Sequence, residues 1–70
     1  MSYRLNIKVL DLAMLKKGYS LNQLSKECGL SKSTISRAIN RKSIPRRLSL
    51  YEISKALDIP VEELIKEEYE

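Results

Sequence analysis

The amino-acid sequence predicts an all-α fold, a compact bundle of five helices in a single domain over residues 1–70. Three observations predict this fold class. Leu and Ile supply most of the apolar residues, and they recur at the spacing of amphipathic helices. Only two Gly and two Pro interrupt the 70 residues, as expected of a folded helical chain rather than a linker. A chain of this length forms one small core and leaves little room for a deep catalytic cleft.

The first helix is predicted from about Ile7 to Lys17. Asn6 is a suitable N-cap, because its side-chain oxygen can accept a hydrogen bond from the free amides of the first turn. Gly18 follows the last lysine and ends the helix. The preceding residues, 1–5, are expected to form an N-terminal arm.

The second helix is predicted from about Leu21 to Cys28, with Ser20 as its N-cap. Gly29 follows at once and can take the left-handed conformation that ends a helix and starts a tight turn. One face of this helix carries side chains at intervals of three and four residues: Leu21, Leu24, Ser25 and Cys28.

The third helix is predicted from about Lys32 to Asn40, with Ser31 as its N-cap. Its apolar face consists of Ile35, Ala38 and Ile39. At about 100° per residue, another face of roughly 140° carries only polar side chains and no acid. That polar face consists of Lys32, Ser33, Ser36, Arg37 and Asn40.

Two further helices are predicted after a polar, basic loop over residues 41–45. The fourth runs from about Arg47 to Leu57. Pro60 fits the first turn of the fifth helix, which takes in Val61, Leu64 and Ile65. The acidic residues 67–70 are expected to fray, and no strand is predicted anywhere in the chain.

Charge is distributed unevenly along the chain. Residues 28–51 carry six basic side chains and no acid, whereas residues 52–70 carry seven acids and two lysines. An acid-free basic block is typical of a surface that binds phosphate groups. The same clustering also occurs on ordinary solvated faces, so charge alone leaves both interpretations open.

The residue types present exclude several classes of function. The sequence has no His and one Cys, so one chain cannot build the usual Cys/His zinc site, an internal disulfide or a His-activated nucleophile. No apolar run has the length of a transmembrane helix or the pattern of a signal peptide. We therefore expect a cytoplasmic protein that is not an enzyme and has no cofactor or small-molecule ligand.

The order of the second and third helices carries the strongest functional signal. Two helices joined by a short turn that contains a glycine have the geometry of a helix-turn-helix. This region reads LNQLSKECGLSKSTISRAINRKSIP, and the chain continues as LSLYEISKALDIPVEELI. Over residues 5–66, these stretches resemble the Cro/phage-repressor (XRE) helix-turn-helix family. The resemblance implies a lambda-repressor-like bundle and a sequence-specific transcriptional regulator, commonly a dimer on near-palindromic operators.

The resemblance also implies two sets of residues that contact DNA. The base-reading set is Lys32, Ser33, Ser36 and Arg37. Within it, Arg37 has the geometry to bind O6 and N7 of guanine. The phosphate-binding set is Ser20, Thr34, Asn40, Arg41, Lys42, Arg46 and Arg47.

The chain departs from the family pattern in four places. Leu21 replaces a phosphate-binding Gln, Arg41 replaces a loop Gly, and Arg46 replaces an N-cap Ser. Met14 and Ile39 stand where the family often buries an Arg–Glu pair. We expect these two apolar side chains to be buried near each other. Ile39→Glu would then bury a charge without a partner and destabilise the fold strongly.

Two function hypotheses follow from these observations. The first is a transcriptional regulator, in particular a repressor, that binds duplex DNA as a homodimer with its third helix in the major groove. The second is a protein-interaction or antitoxin-like adaptor that uses the same fold. Its surface would be formed by the apolar edges of the fifth helix and of residues 1–9. DNA affinity that falls steeply with salt would favour the first hypothesis.

Overall fold

A computed structural model of the chain describes residues 2–40 and 44–68. Within these residues the all-α class is confirmed, because five helices build the bundle and two short strands add a single small sheet. The elements are, in order, β1 (Ser2–Leu5), α1 (Ile7–Lys17), α2 (Leu21–Cys28), α3 (Lys32–Ile39), α4 (Arg47–Leu57), α5 (Val61–Leu64) and β2 (Ile65–Glu68).

The first three helices begin at the predicted N-caps. In each case the cap side chain accepts a hydrogen bond from a backbone N–H three residues further on. α1 and α2 end at Gly18 and Gly29, which have left-handed φ angles of 70° and 73°. Arg46 precedes α4 without a side-chain cap bond, as expected where the family has Ser. The cap bonds run from Val9 to Asn6 (3.4 Å), from Gln23 to Ser20 (3.3 Å) and from Thr34 to Ser31 (3.1 Å).

The hydrophobic core takes side chains from every helix and from β1. α2 packs against α3 and α4, and α4 also contacts α1 and α5. α3 lies against β1 as well, so two elements support the helix that carries the polar face. The largest side chains that are less than 2 % exposed are Leu5, Leu10, Leu24, Ile35, Ile53 and Leu64.

Residues 2–5 form a strand, and the prediction of an N-terminal arm is wrong for them. β1 pairs antiparallel with β2, with Leu5 opposite Ile65. The Asn6 N–H donates to the Leu64 carbonyl at 2.7 Å and continues the pairing into the start of α1. Leu5 is only 1 % exposed. Burial of this leucine and the paired backbone together hold the segment on the core.

The C-terminal prediction also requires correction. α5 ends at Leu64, so Ile65 belongs to β2 rather than to the fifth helix. Residues 67 and 68 are paired with β1 and do not form a frayed end, because the strand gives their backbone groups hydrogen-bond partners. Pro60 is the N-cap of α5 rather than part of its first turn. Residues 1, 69 and 70 lie outside the described part of the chain.

The replacement of the family's ion pair by Met14 and Ile39 leaves two partly buried side chains, each packed against the core. Their burial is less complete than expected, and their mutual contact stays a prediction. We expect Ile39→Glu to lower the free energy of unfolding by about 1–3 kcal/mol, because the carboxylate loses water without gaining a cation. Urea unfolding measures this change, with Ile39→Val as the matched apolar control. Equal midpoints for Ile39→Glu and the unmodified chain would contradict the prediction.

Candidate nucleic-acid interface

The turn between α2 and α3 spans residues 29–31 and is held by hydrogen bonds on both sides. The Gly29 N–H donates to the Ser25 carbonyl at 3.0 Å. The Ser25 hydroxyl donates to the Leu30 carbonyl. These bonds satisfy the backbone groups that a tight turn would otherwise leave without partners. They therefore hold α3 in a defined position on α2.

The four predicted base-reading residues lie on one surface. Lys32, Ser33 and Arg37 are exposed, and Ser36 is partly buried. All four line a single shallow depression on α3, and no acidic side chain lines it. The remaining residues that line the depression are Leu21 from α2 and Asn40 at the end of α3.

Most of the polar groups on this surface are not used inside the protein. The Asn40 amide nitrogen donates to the Ser36 hydroxyl at 3.2 Å, which orients both side chains. Among the described residues, the side chains of Lys32, Ser33 and Arg37 make no hydrogen bond or ion pair. Within residues 2–40 and 44–68, no partner therefore competes with a ligand for these donors.

The predicted phosphate-binding residues on α2 and α3 are also exposed. The Ser20 hydroxyl accepts the cap bond of α2 and keeps its own proton for a second partner. The Thr34 hydroxyl lies 2.8 Å from the Ser31 hydroxyl at the start of α3. Asn40 ends α3 with a φ of −83°, which lies outside the left-handed region. Arg41 and Lys42 lie outside the described residues.

A second depression joins α3 to the start of α4. Arg37 lines both depressions, and Arg46 lines the second. Arg46 and Arg47 are exposed. Arg46 therefore shares this depression with Arg37 of the polar face of α3. The apolar residues that line this second depression are Leu30, Ile35, Ala38, Ile44, Pro45 and Ile53.

Leu21 and Ile44 are two of the lining residues that were not predicted as members of the site. Leu21 replaces the family's phosphate-binding Gln, yet its side chain lines the depression that holds the four predicted base-reading residues, which we call the base-reading depression. Ile44 is 49 % exposed and lines the second depression. The family position of Leu21 marked it as unusual, whereas nothing in the loop sequence singled out Ile44.

Residues 2–40 and 44–68 contain neither of two other kinds of site. No helix there has the length and apolar character needed to cross a membrane. Within the same residues, Cys, Asp and Glu form no group of three or more that could hold a metal ion.

Comparison with known proteins gives one family match. A family model described as helix-turn-helix matches residues 10–64, which is well over half of the chain. The match begins within α1 and extends to the end of α5. Comparison with curated proteins gives no match.

Proposed function

Because the chain belongs to the Cro/phage-repressor (XRE) helix-turn-helix family of DNA-binding regulators, we propose that it is a sequence-specific transcriptional regulator. The observation that carries this proposal is the acid-free depression on α3, where four base-reading candidates lie together. The proposed unit is one DNA-binding domain over residues 1–70, acting in the cytoplasm and performing no catalytic step.

The proposed mechanism places α3 in the major groove. A helix fits this groove, which is about 12 Å wide, and its outer face then meets the base edges. Arg37 donates two hydrogen bonds to a guanine, and Lys32 and Ser33 contact neighbouring bases from the first turn of α3. Ser36, held by Asn40, donates to a base or to a bridging water.

The phosphate contacts position α3 in the groove and carry no sequence information themselves. We assign them to the side chains that flank the base-reading surface. The backbone N–H groups at the start of α2 add to the attraction for phosphate. The assigned residues are Ser20, Thr34, Asn40, Arg41, Lys42, Arg46 and Arg47.

Arg46→Ala is expected to weaken binding to all duplex sequences by a similar factor. Arg46 is exposed and lies just before α4, where the family touches the DNA backbone, and its proposed partner is therefore a phosphate and not a base edge. The slope of log K against log salt should fall by about one for each chain that loses this contact. Titrations of one preferred and one unrelated duplex at several salt concentrations measure both effects. A loss confined to the preferred duplex would contradict the assignment.

Selection from random duplex DNA tests the proposed function directly. The protein is incubated with a pool of random duplexes, and bound DNA is recovered and sequenced over several rounds. We expect one enriched motif that contains guanine. Recovery of DNA with no preferred sequence would contradict sequence-specific regulation.

We further propose that the protein acts as a repressor in homodimeric form. Two chains on half-sites one helical turn apart are the usual solution for a reading unit of this size. A dimer bound at a promoter blocks access of the transcription machinery without any additional contact. Sedimentation with the selected duplex, and a reporter gene under a promoter that contains it, test these two points. A stoichiometry of one chain per full site, or activation of the reporter, would overturn them.

Exposed apolar side chains on α1 support the second candidate, an adaptor that binds another protein. Leu15 is 76 % exposed and Leu12 is 49 % exposed. The sequence instead predicted an adaptor surface on the fifth helix and residues 1–9. Among the described residues of segments 2–9 and 61–64, Val61 is the only exposed large apolar residue. Leu15→Ser separates the two functions. If the protein is an adaptor, Leu15→Ser should abolish its effect in cells, because the partner protein no longer binds, while its affinity for DNA stays unchanged.

A further inference from the structure

Leu21 differs in chemistry from every other residue that lines the base-reading depression. The other five are two cations, two hydroxyls and one amide: Lys32, Arg37, Ser33, Ser36 and Asn40. Leu21 is partly buried, with one side packed against the core and the rest facing the depression. A polar surface that enters the major groove therefore carries a single apolar side chain.

The position of Leu21 is well defined. It is the first residue of α2, directly after the N-cap Ser20. The Ser20 carbonyl accepts from the Leu24 N–H at 2.9 Å, and the Ser20 hydroxyl accepts from the Gln23 N–H at 3.3 Å. Because the start of α2 is capped and Leu21 packs against the core, the leucine side chain has little freedom to turn away from a polar base edge.

The major groove offers one apolar partner to such a side chain. The base edges there present nitrogen and oxygen donors and acceptors, and the only methyl group on the edges of unmodified bases is the C5-methyl of thymine. A leucine opposite any other base edge would remove water from a polar group without replacing its hydrogen bond. Contact with the thymine methyl instead buries apolar surface on both sides.

We propose that Leu21 is a specificity-determining residue that contacts the C5-methyl group of a thymine beside the base pair read by Arg37. This inference rests on the proposed function and adds a second base identity to the operator. The preference is expected to be modest, because a buried methyl group contributes about a fourfold change in affinity.

Replacement of thymine by deoxyuridine tests the contact without altering the protein. Deoxyuridine keeps the hydrogen-bonding edge of thymine and lacks only the methyl group. Each thymine of the selected operator is replaced in turn, and the Kd is measured by fluorescence anisotropy. We expect about a fourfold loss at one position in each half-site. Equal affinity at every position would overturn the inference while leaving the proposed function intact.

Protein variants then assign the methyl contact to Leu21. In Leu21→Ala the deoxyuridine penalty should disappear, because the two changes remove the same contact. Leu15→Ala is the matched control, since this leucine is 76 % exposed on α1, and it should keep the full penalty. A full penalty in Leu21→Ala would overturn the assignment. If that variant does not fold, Leu21→Val gives the same comparison with a smaller expected difference.

A methylated cytosine separates the methyl group from the rest of the thymine edge. The sensitive T·A pair is replaced by C·G, with and without a 5-methyl group on the cytosine. We expect the methylated duplex to bind about fourfold more tightly than the unmethylated one. Equal binding of the two would overturn the methyl contact. Failure of the protein to prefer any duplex would instead overturn the proposed function.

Discussion

Arg37→Ala should weaken binding to the preferred half-site by about 5-fold to 150-fold, the range for loss of a bidentate contact to guanine. It should also remove the preference for guanine at one base pair. The side chain is exposed, makes no hydrogen bond or ion pair with the described residues 2–40 and 44–68, and lines both depressions of the interface. None of those residues therefore competes with DNA for its donors.

The measurement compares the affinity for the selected operator with that for an operator in which the guanine is replaced. Arg37→Lys is the matched control. It keeps the charge but cannot form the planar pair of hydrogen bonds, so it should retain phosphate affinity and still lose discrimination. The melting temperature should change little in either variant, because the side chain is exposed. Unchanged discrimination in Arg37→Ala would show that another residue reads the guanine.

Ile35→Ala is expected to lower the free energy of unfolding by about 2–5 kcal/mol. Ile35 is fully buried at 0 % exposure, and it holds the inner face of α3 on the core. Small domains have free energies of unfolding of roughly 5–15 kcal/mol, so this loss is a large part of the total.

Urea unfolding of Ile35→Ala, with Ile35→Val as the matched control, measures the effect. The valine variant should lose only about 0.5–1.5 kcal/mol. Ile35→Ala should also weaken DNA binding, because fewer molecules are folded, yet the remaining binding should keep the preference for guanine. This pattern distinguishes it from Arg37→Ala. A midpoint within error of the original chain would contradict the role assigned to Ile35 in the core.

The helices could be predicted because their signals are local. Caps and terminal glycines lie within one turn of the helix ends that they define, so α1 and α2 have the predicted bounds. α4 also has the predicted bounds, and there the signal is the spacing of its apolar residues, because it has neither a side-chain cap bond nor a terminal glycine. α3 ends at Ile39, one residue before the predicted end. The two strands could not be predicted in the same way. Each is four residues long, and each depends on a partner at the opposite end of the chain.

The surface proposed to read bases could also be largely predicted from the sequence. Helical spacing placed Lys32, Ser33, Ser36 and Arg37 on one face, and the family resemblance gave that face a function. The position of Leu21 in the depression could not be predicted from the sequence, because it depends on how α2 and α3 pack. In the sequence, Leu21 in place of a phosphate-binding Gln indicates only the loss of a phosphate contact. The fold is needed to show which side chains surround it.

The pairing of β1 with β2 has a consequence for how the chain folds. Leu5 and Ile65 are opposite each other, so the sheet closes a loop of about 60 residues. The entropy of closing such a loop opposes pairing by on the order of 4 kcal/mol. Contacts between neighbouring helices do not carry this cost, so the sheet is expected to form last and to open first. Because β1 also lies against α3, separation of the two strands would expose one flank of the helix that carries the predicted base-reading residues.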